Sequence, residues 1–241
     1  MSRVVSQKTL VLAAAAAALI GAGAMWGGVR LAGGGGAVSE AQARDYVLDH
    51  PQMLSGLIDA SRERLNGQVI AANRKAIMEP YAGAWAGNPK GDLTIVEYFD
   101  YNCGYCRATL PIVAKVLASD PKLRIVYREW PILSQESGDA AKLSLLAAEQ
   151  GKFMAFHTAL YNAGPVTPGS MAAAAKAAGV DVSNPARSAA RVDAELDSNV
   201  RMARELGANG TPTWVIGNKV ISSALPLDAL QAAIAEARAQ R

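Results

Sequence analysis

Two cysteines occur in the chain, three residues apart, as Cys103-Gly104-Tyr105-Cys106. A thiol attacks only as the thiolate, and an unperturbed cysteine, with a pKa of about 8.5, is mostly protonated at neutral pH. A helix starting at Cys103 would offer unpaired N–H groups and the positive end of its macrodipole, both of which favour the anion. Two intervening residues bring the second sulfur back within disulfide reach on the first turn. The spacing therefore assigns Cys103 the part of exposed nucleophile and Cys106, one turn on and more buried, the part of resolving thiol. A structural disulfide framework uses more cysteines at wider spacings. An isolated pair shuttles between dithiol and disulfide with no third thiol to trap it.

Other chemistries fit less well. Zinc takes four ligands, and beyond the cysteines there are only His50 and His157, far apart and not in a paired spacing, so neither a metal nor a cofactor is expected. Haem attachment needs a histidine after the second cysteine, where Arg107 stands. Two thiolates alone would suit Cu(I), a soft ion, and this non-enzymatic alternative stays open. His157 lies among apolar residues in Phe153-Met154-Ala155-Phe156 and reads as a packed helix residue. His50 reads as a cap or hinge, Trp214 as core, and the run Met171–Ala178 as a good helix former.

The elements that must position the pair are legible around it. Leu93–Phe99 is a strand by its β-branched and aromatic content, and Ala108–Leu117 reads as a helix despite Pro111. A second strand follows at Leu123–Arg128, then helical pieces over about 136–206, broken at Gly164-Pro165, Gly179 and Pro185. Thr213–Ile216 and Lys219–Ile221 form a hairpin around Gly217-Asn218, and Leu227–Ala239 is a last amphipathic helix. That order is a mixed α/β layer architecture with a helical insertion.

Upstream, Ser39 and Gln42 have the capping-box spacing of a helix start, and Pro51 is placed to open a second helix. Leu54, Leu57, Ile58, Leu65, Val69 and Ile70 fall largely on one face. Such a stripe must be buried, either on its own domain or against copies of itself, and the second is the reading favoured here. Arg3 and Lys8 precede an uncharged run, Thr9–Val29, which reads as an export segment, either cleaved near Ala22-Gly23-Ala24 or retained as an anchor. In both cases the body of the protein is expected outside the cytoplasm. A net charge of +3 over 241 residues, with no Lys/Arg block, gives no sign of a nucleic-acid partner.

The run Glu97-Tyr98-Phe99-Asp100-Tyr101-Asn102-Cys103-Gly104-Tyr105-Cys106-Arg107, with Gly210-Thr211-Pro212-Thr213, resembles the DsbA-type branch of the thioredoxin superfamily. Within it the chain is most similar to the ScsC-like periplasmic disulfide proteins, over about residues 80–240. The resemblance implies a thioredoxin fold with a helical insertion plus an N-terminal helical extension. The expected division is 1–36 as leader and Gly-rich spacer, 37–80 as oligomerisation region and 81–241 as catalytic domain. It implies that Pro212 is the cis-proline beside the cysteines and that Glu97, six residues before Cys103, is the buried acid relaying protons for Cys106. It also implies that Gly104, Tyr105, Thr211 and Pro212 meet the client. Gly104-Tyr105 and a Thr before the cis-proline are typical of disulfide isomerases, whereas the strongest oxidants carry Pro-His. The implied activity is a periplasmic disulfide isomerase or reductase acting on exported proteins. A membrane redox partner would keep the pair reduced, and the protein would be a homo-oligomer, trimers being the form of the extended ScsC-like members. A dithiol oxidase is the alternative within the enzyme class.

Overall fold

The structure is a computed structural model in which residues 39–240 are described. The export segment expected at Thr9–Val29 and the Gly-rich spacer lie outside the described residues. The chain divides into two compact units, one ending at Leu57 and one running from Ile58.

In the first unit, α1 (Glu40–Asp49) starts with the expected capping box. The Gln42 N–H donates to Ser39 Oγ at 3.2 Å, and the Ser39 N–H donates to Gln42 Oε1 at 3.0 Å. His50 caps its end, with Nδ1 at 2.8 Å from the Tyr46 carbonyl and its ring stacked on Tyr46. The next helix, α2 (Met53–Ala72), begins here. Tyr46, Leu48, Met53, Leu54 and Leu57 are all exposed.

The second unit is built on a five-stranded sheet in the order β1-β3-β2-β4-β5. The strands are β1 (Trp85–Gly87), β2 (Leu93–Phe99), β3 (Leu123–Glu129), β4 (Thr213–Ile216) and β5 (Lys219–Ile221). β2 and β3 are parallel, joined through the crossover helix α4 (Gly104–Ser119); the other pairs are antiparallel. Between β3 and β4 stand α5 (Gln135–Glu149), α6 (Phe153–Asn162), α7 (Pro168–Ala178) and α8 (Ala189–Glu205), which form the helical insertion, and α9 (Leu227–Ala239) closes the chain. Short α3 (Arg74–Met78) leads in. Among the described residues no helix is long and apolar enough to cross a membrane.

Both central strands are covered on both faces, and all their residues except Thr94 and Arg124 are buried. Side chains still alternate sides. Leu93, Ile95 and Phe99 point into one core with Val113 and Val116 of α4, Phe153 and Phe156 of α6, and Leu230 and Ile234 of α9. Val96 and Tyr98 point into the other, with Ile70, Ile77 and Met78 from α2 and α3 and Met202 from α8.

This second core moves a boundary. The catalytic domain expected to begin at residue 81 takes in the end of α2 and all of α3, because Ile70, Ile77 and Met78 are its buried covering. Arg128, 2% exposed, fastens that segment by donating to the carbonyls of Ile77 and Glu79 while pairing with Glu195. The apolar stripe is thus divided: Ile70 is buried on its own domain, whereas Ile58 and Leu65 remain exposed. The strand at Trp85–Gly87 was not expected, since three residues carry no periodicity.

Candidate active site

Cys103 is the N-cap of α4, with extended φ and ψ of −77° and 114°, and its sulfur accepts the Cys106 N–H at 3.4 Å. A cysteine thus stands where a Ser or Asp oxygen normally takes up an orphan amide. The thiol of Cys103 donates to the Thr211 carbonyl at 3.1 Å, and the Thr211–Pro212 peptide is cis, as expected. That loop is braced from behind. The Thr213 hydroxyl donates to the Gly210 carbonyl at 2.6 Å and meets the Ser222 hydroxyl at 2.7 Å. The Asn209 N–H donates to Ser222 Oγ at 3.3 Å.

The structure corrects one expectation here. Cys103 is not an exposed nucleophile: the residue is 6% accessible against 1% for Cys106, since the N-cap position and the Thr211 carbonyl enclose its sulfur. The two thiols differ in proton affinity instead. Hydrogen bonding from the Cys106 thiol, assisted by Thr211 and the N–H groups of Cys106 and Tyr105, outweighs burial and lowers Cys103 to about 5. Burial, the bond to Cys103 and the charge of Glu97 push Cys106 far above the ordinary thiol range. At neutral pH the pair is one thiolate and one thiol.

Glu97 is placed by strand alternation between Ile95 and Phe99, facing the core that α4 covers, and pairs across the sheet with Tyr127 and Trp214. It is 4% exposed, and burial raises its carboxyl to about 8. The Thr109 hydroxyl lies 3.1 Å from Glu97 Oε1 and 2.7 Å from the Cys106 carbonyl. Of the remaining expected residues, Gly104 is the first residue of α4 and Tyr105 is 72% exposed. Trp214 is buried in the core. His157 is buried beside Tyr101, with Nδ1 at 3.1 Å from its hydroxyl, and burial depresses the imidazole to about 3, so it stays neutral.

Two residues just before Cys103 do more than the sequence reading assigned them. Buried Asp100 accepts four hydrogen bonds. Its Oδ1 takes the Asn102 N–H at 2.8 Å and the Ser137 hydroxyl at 2.7 Å, and its Oδ2 takes the N–H groups of Ile132 and Leu133 at 2.8 and 3.0 Å. The Asn102 side chain donates to Ser134 Oγ at 2.9 Å and accepts the Val166 N–H at 3.3 Å. Together they bind the segments after β3 and before α7 to the cysteine loop, with Ile132 and Leu133 exposed beside it. The Asx turn from Asp100 to Asn102 is local in the chain, whereas the other partners are distant, and neither was read from the sequence.

A cysteine sulfur held at a helix start, beside the residue that precedes a cis-proline, is equipped for thiol–disulfide exchange, and the fold that holds it is the thioredoxin fold. The DSBA-like thioredoxin domain matches residues 94–235, more than half the chain, and the chain belongs to that family. Among solved structures it is similar to a thioredoxin-like oxidoreductase from Silicibacter pomeroyi, at 38% identity and a TM-score of 0.65, over 69% of this chain and 98% of that one. The catalytic domain of Proteus mirabilis ScsC shares the fold at 24% identity and a TM-score of 0.65, over 72% and 98% of the two chains. Among curated proteins, the Na(+)/H(+) antiporter NhaA 1 of Salinispora arenicola is 26% identical over 63% of this chain, and the match spans 24% of that protein's length.

Proposed function

We propose that the protein rearranges or reduces disulfides in exported proteins outside the cytoplasm, with Cys103 as nucleophile and Cys106 as resolving thiol. The observation that carries this reading is the asymmetry of the pair. A Cys103 thiolate is ready to attack at neutral pH, whereas Cys106 is buried and held as a thiol. Attack on a client disulfide forms a Cys103–client bond and releases a client thiolate. Slow resolution leaves time for another client thiol to displace Cys103, which changes the pairing with no net redox. When Cys106 displaces the client instead, the client leaves reduced by two electrons and a Cys103–Cys106 disulfide remains for a redox partner to reduce. Gly104 and Tyr105 follow Cys103 in the chain, Thr211 meets its sulfur and precedes cis Pro212, and exposed Tyr105, Ile132 and Leu133 offer apolar surface to an unfolded client. Incubating the reduced protein with scrambled ribonuclease tests the reading: recovery of ribonuclease activity is expected, and none would overturn it.

A dithiol oxidase is the second reading, favoured by the same thiolate, because stabilising the reduced form makes the disulfide a stronger oxidant. The redox state at rest in cells separates the two, an isomerase resting reduced and an oxidase oxidised. Cys106→Ser excludes the Cu(I) alternative if it traps client mixed disulfides. Self-association is proposed from Leu54, Leu57, Ile58 and Leu65, which the described residues leave exposed. Light scattering on the full chain is expected to show an oligomer that Leu54→Lys/Leu57→Lys converts to a monomer. A monomeric parent chain, or an unchanged mass in the variant, would remove the proposal.

A further inference from the structure

Glu97 is buried where a charge has little to stabilise it, yet a base for Cys106 must ionise. Its surroundings supply few options. The titratable groups that bear on it are Cys103 and Cys106 from α4, Tyr127 from β3 and Tyr161 from α6, none of them a cation. Trp214 of β4, its cross-strand neighbour, has an indole N–H without a partner. The donor that reaches Glu97 is the hydroxyl of Thr109, itself 1% exposed.

That hydroxyl has one hydrogen and two acceptors, Glu97 Oε1 at 3.1 Å and the Cys106 carbonyl at 2.7 Å. The hydrogen of a threonine hydroxyl rotates about its C–O bond to suit the partners within reach, with the oxygen left in place. Two complete arrangements follow with no backbone movement. With Glu97 ionised, Thr109 donates to the carboxylate. With Glu97 protonated, the carboxyl donates to Thr109, which turns its own hydrogen to the Cys106 carbonyl. Neither state leaves the acid without a partner, which matters because an unpaired buried charge is costly.

We propose that Thr109 is a positioning residue for Glu97, a hydroxyl that turns between the carboxylate and the Cys106 carbonyl as Glu97 gains and loses the proton of the resolving thiol. The proposal rests on the thiol-exchange reading and deepens it. In the resolving step the Cys106 proton passes to the Glu97 carboxylate. The Cys106 sulfur then forms the Cys103–Cys106 bond as the Cys103–client bond breaks, and the electron pair leaves on the client sulfur. The proton on Glu97 is afterwards returned to solvent or to the departing thiolate. By sitting on the turn that carries Cys106, Thr109 keeps base and thiol in register through this exchange.

The test uses the reduced full chain and a dithiobis(nitrobenzoate) disulfide, which needs no client. Thionitrobenzoate is released once when Cys103 attacks and again when Cys106 displaces the mixed disulfide. In Thr109→Val the second release is expected to slow roughly tenfold at neutral pH, with its pH midpoint moved alkaline by about one unit or more, since a hydrogen bond to a buried anion is lost. The first release stays unchanged, and Thr109→Ser restores the second. In a Glu97→Gln background Thr109→Val adds nothing further. An unshifted midpoint in Thr109→Val, or a serine variant shifted as far as the valine one, overturns the proposal. Thr109→Ala gives the same reading if the valine variant does not fold. Failure of the ribonuclease assay would remove the client function and leave these phases intact, so the two ideas fail separately.

Discussion

Cys103 and Glu97 move in opposite directions from their ordinary values, and the opposition has a measurable consequence. Burial raises Glu97 from 4.5 to about 8, so its contribution to stability is full below 4.5 and lost as pH rises through 8. Cys103 is lowered from 9.0 to about 5, chiefly by the Cys106 thiol, so its contribution is full above 9 and lost as pH falls through 5. In the reduced protein the two slopes nearly cancel between pH 5 and 8. In the disulfide form Cys103 no longer titrates, and Glu97 alone should cost roughly 1 kcal/mol of stability per pH unit across that window. Urea unfolding of the oxidised protein is expected to show this fall, and Glu97→Gln to flatten it. Thiolate absorbance should titrate with a midpoint of about 5 in the parent protein, and Cys106→Ala should move that midpoint upward by removing its largest cause. At this scale the sequence was most readable where the chemistry is carried by neighbours in the chain. Cys103 and Cys106 announce themselves by type and spacing, and Glu97 through the family resemblance alone. The burial of Cys103 did not, because it depends on Thr211, 108 residues away.

The cysteine loop and its neighbours are fastened as a unit by Asp100, and the fastening is polar rather than apolar. Replacing one carboxylate oxygen by an amide would aim N–H groups at donors, either the N–H groups of Ile132 and Leu133 or the Asn102 N–H and the Ser137 hydroxyl. Asp100→Asn is therefore expected to cost on the order of 2–3 kcal/mol in urea unfolding. It should also deprotect the Ile132 and Leu133 amides in hydrogen exchange. Full protection of those amides in the variant would show that the carboxylate does not hold the loop. Elements with a strong period were readable in advance: the strands Leu93–Phe99 and Leu123–Glu129, the insertion helices and the hairpin lie close to where pattern placed them. Pro111 did not break α4; it removes only the bond to the Arg107 carbonyl. The loop after β3 had no such period. Its place is set by Asp100 and Asn102, more than thirty residues earlier in the chain, and no local pattern reports a partner at that distance.

Across the whole molecule, the described residues sort into a first unit with an exposed apolar face and a second unit whose core reaches back to Ile70. Apolar periodicity marked both stretches alike, because a stripe facing a sheet and a stripe left exposed have the same spacing. What separates them is tertiary: Ile77 is fully buried and Ile70 and Met78 nearly so, through packing against Val96, Tyr98 and Val215. Residues 58–241 are expected to unfold in one cooperative transition. A chain beginning at residue 81 would forfeit the burial of three large side chains, each contributing about 1.5–3 kcal/mol, against a total stability of typically ~5–15 kcal/mol. It should be aggregation-prone or molten by circular dichroism. A sharp transition of undiminished midpoint would show that α2 and α3 are dispensable.

The Arg128 fastening of residues 77–79 therefore bears on how portable the domain is. The family match begins at residue 94, yet the buried core of the second unit reaches back to Ile70, some two dozen residues earlier. A graft onto a foreign carrier, an immobilised reagent or a split reporter would have to bring that upstream helical strap with it. Cut where the match begins instead, the cysteines would travel without one wall of the sheet that holds them.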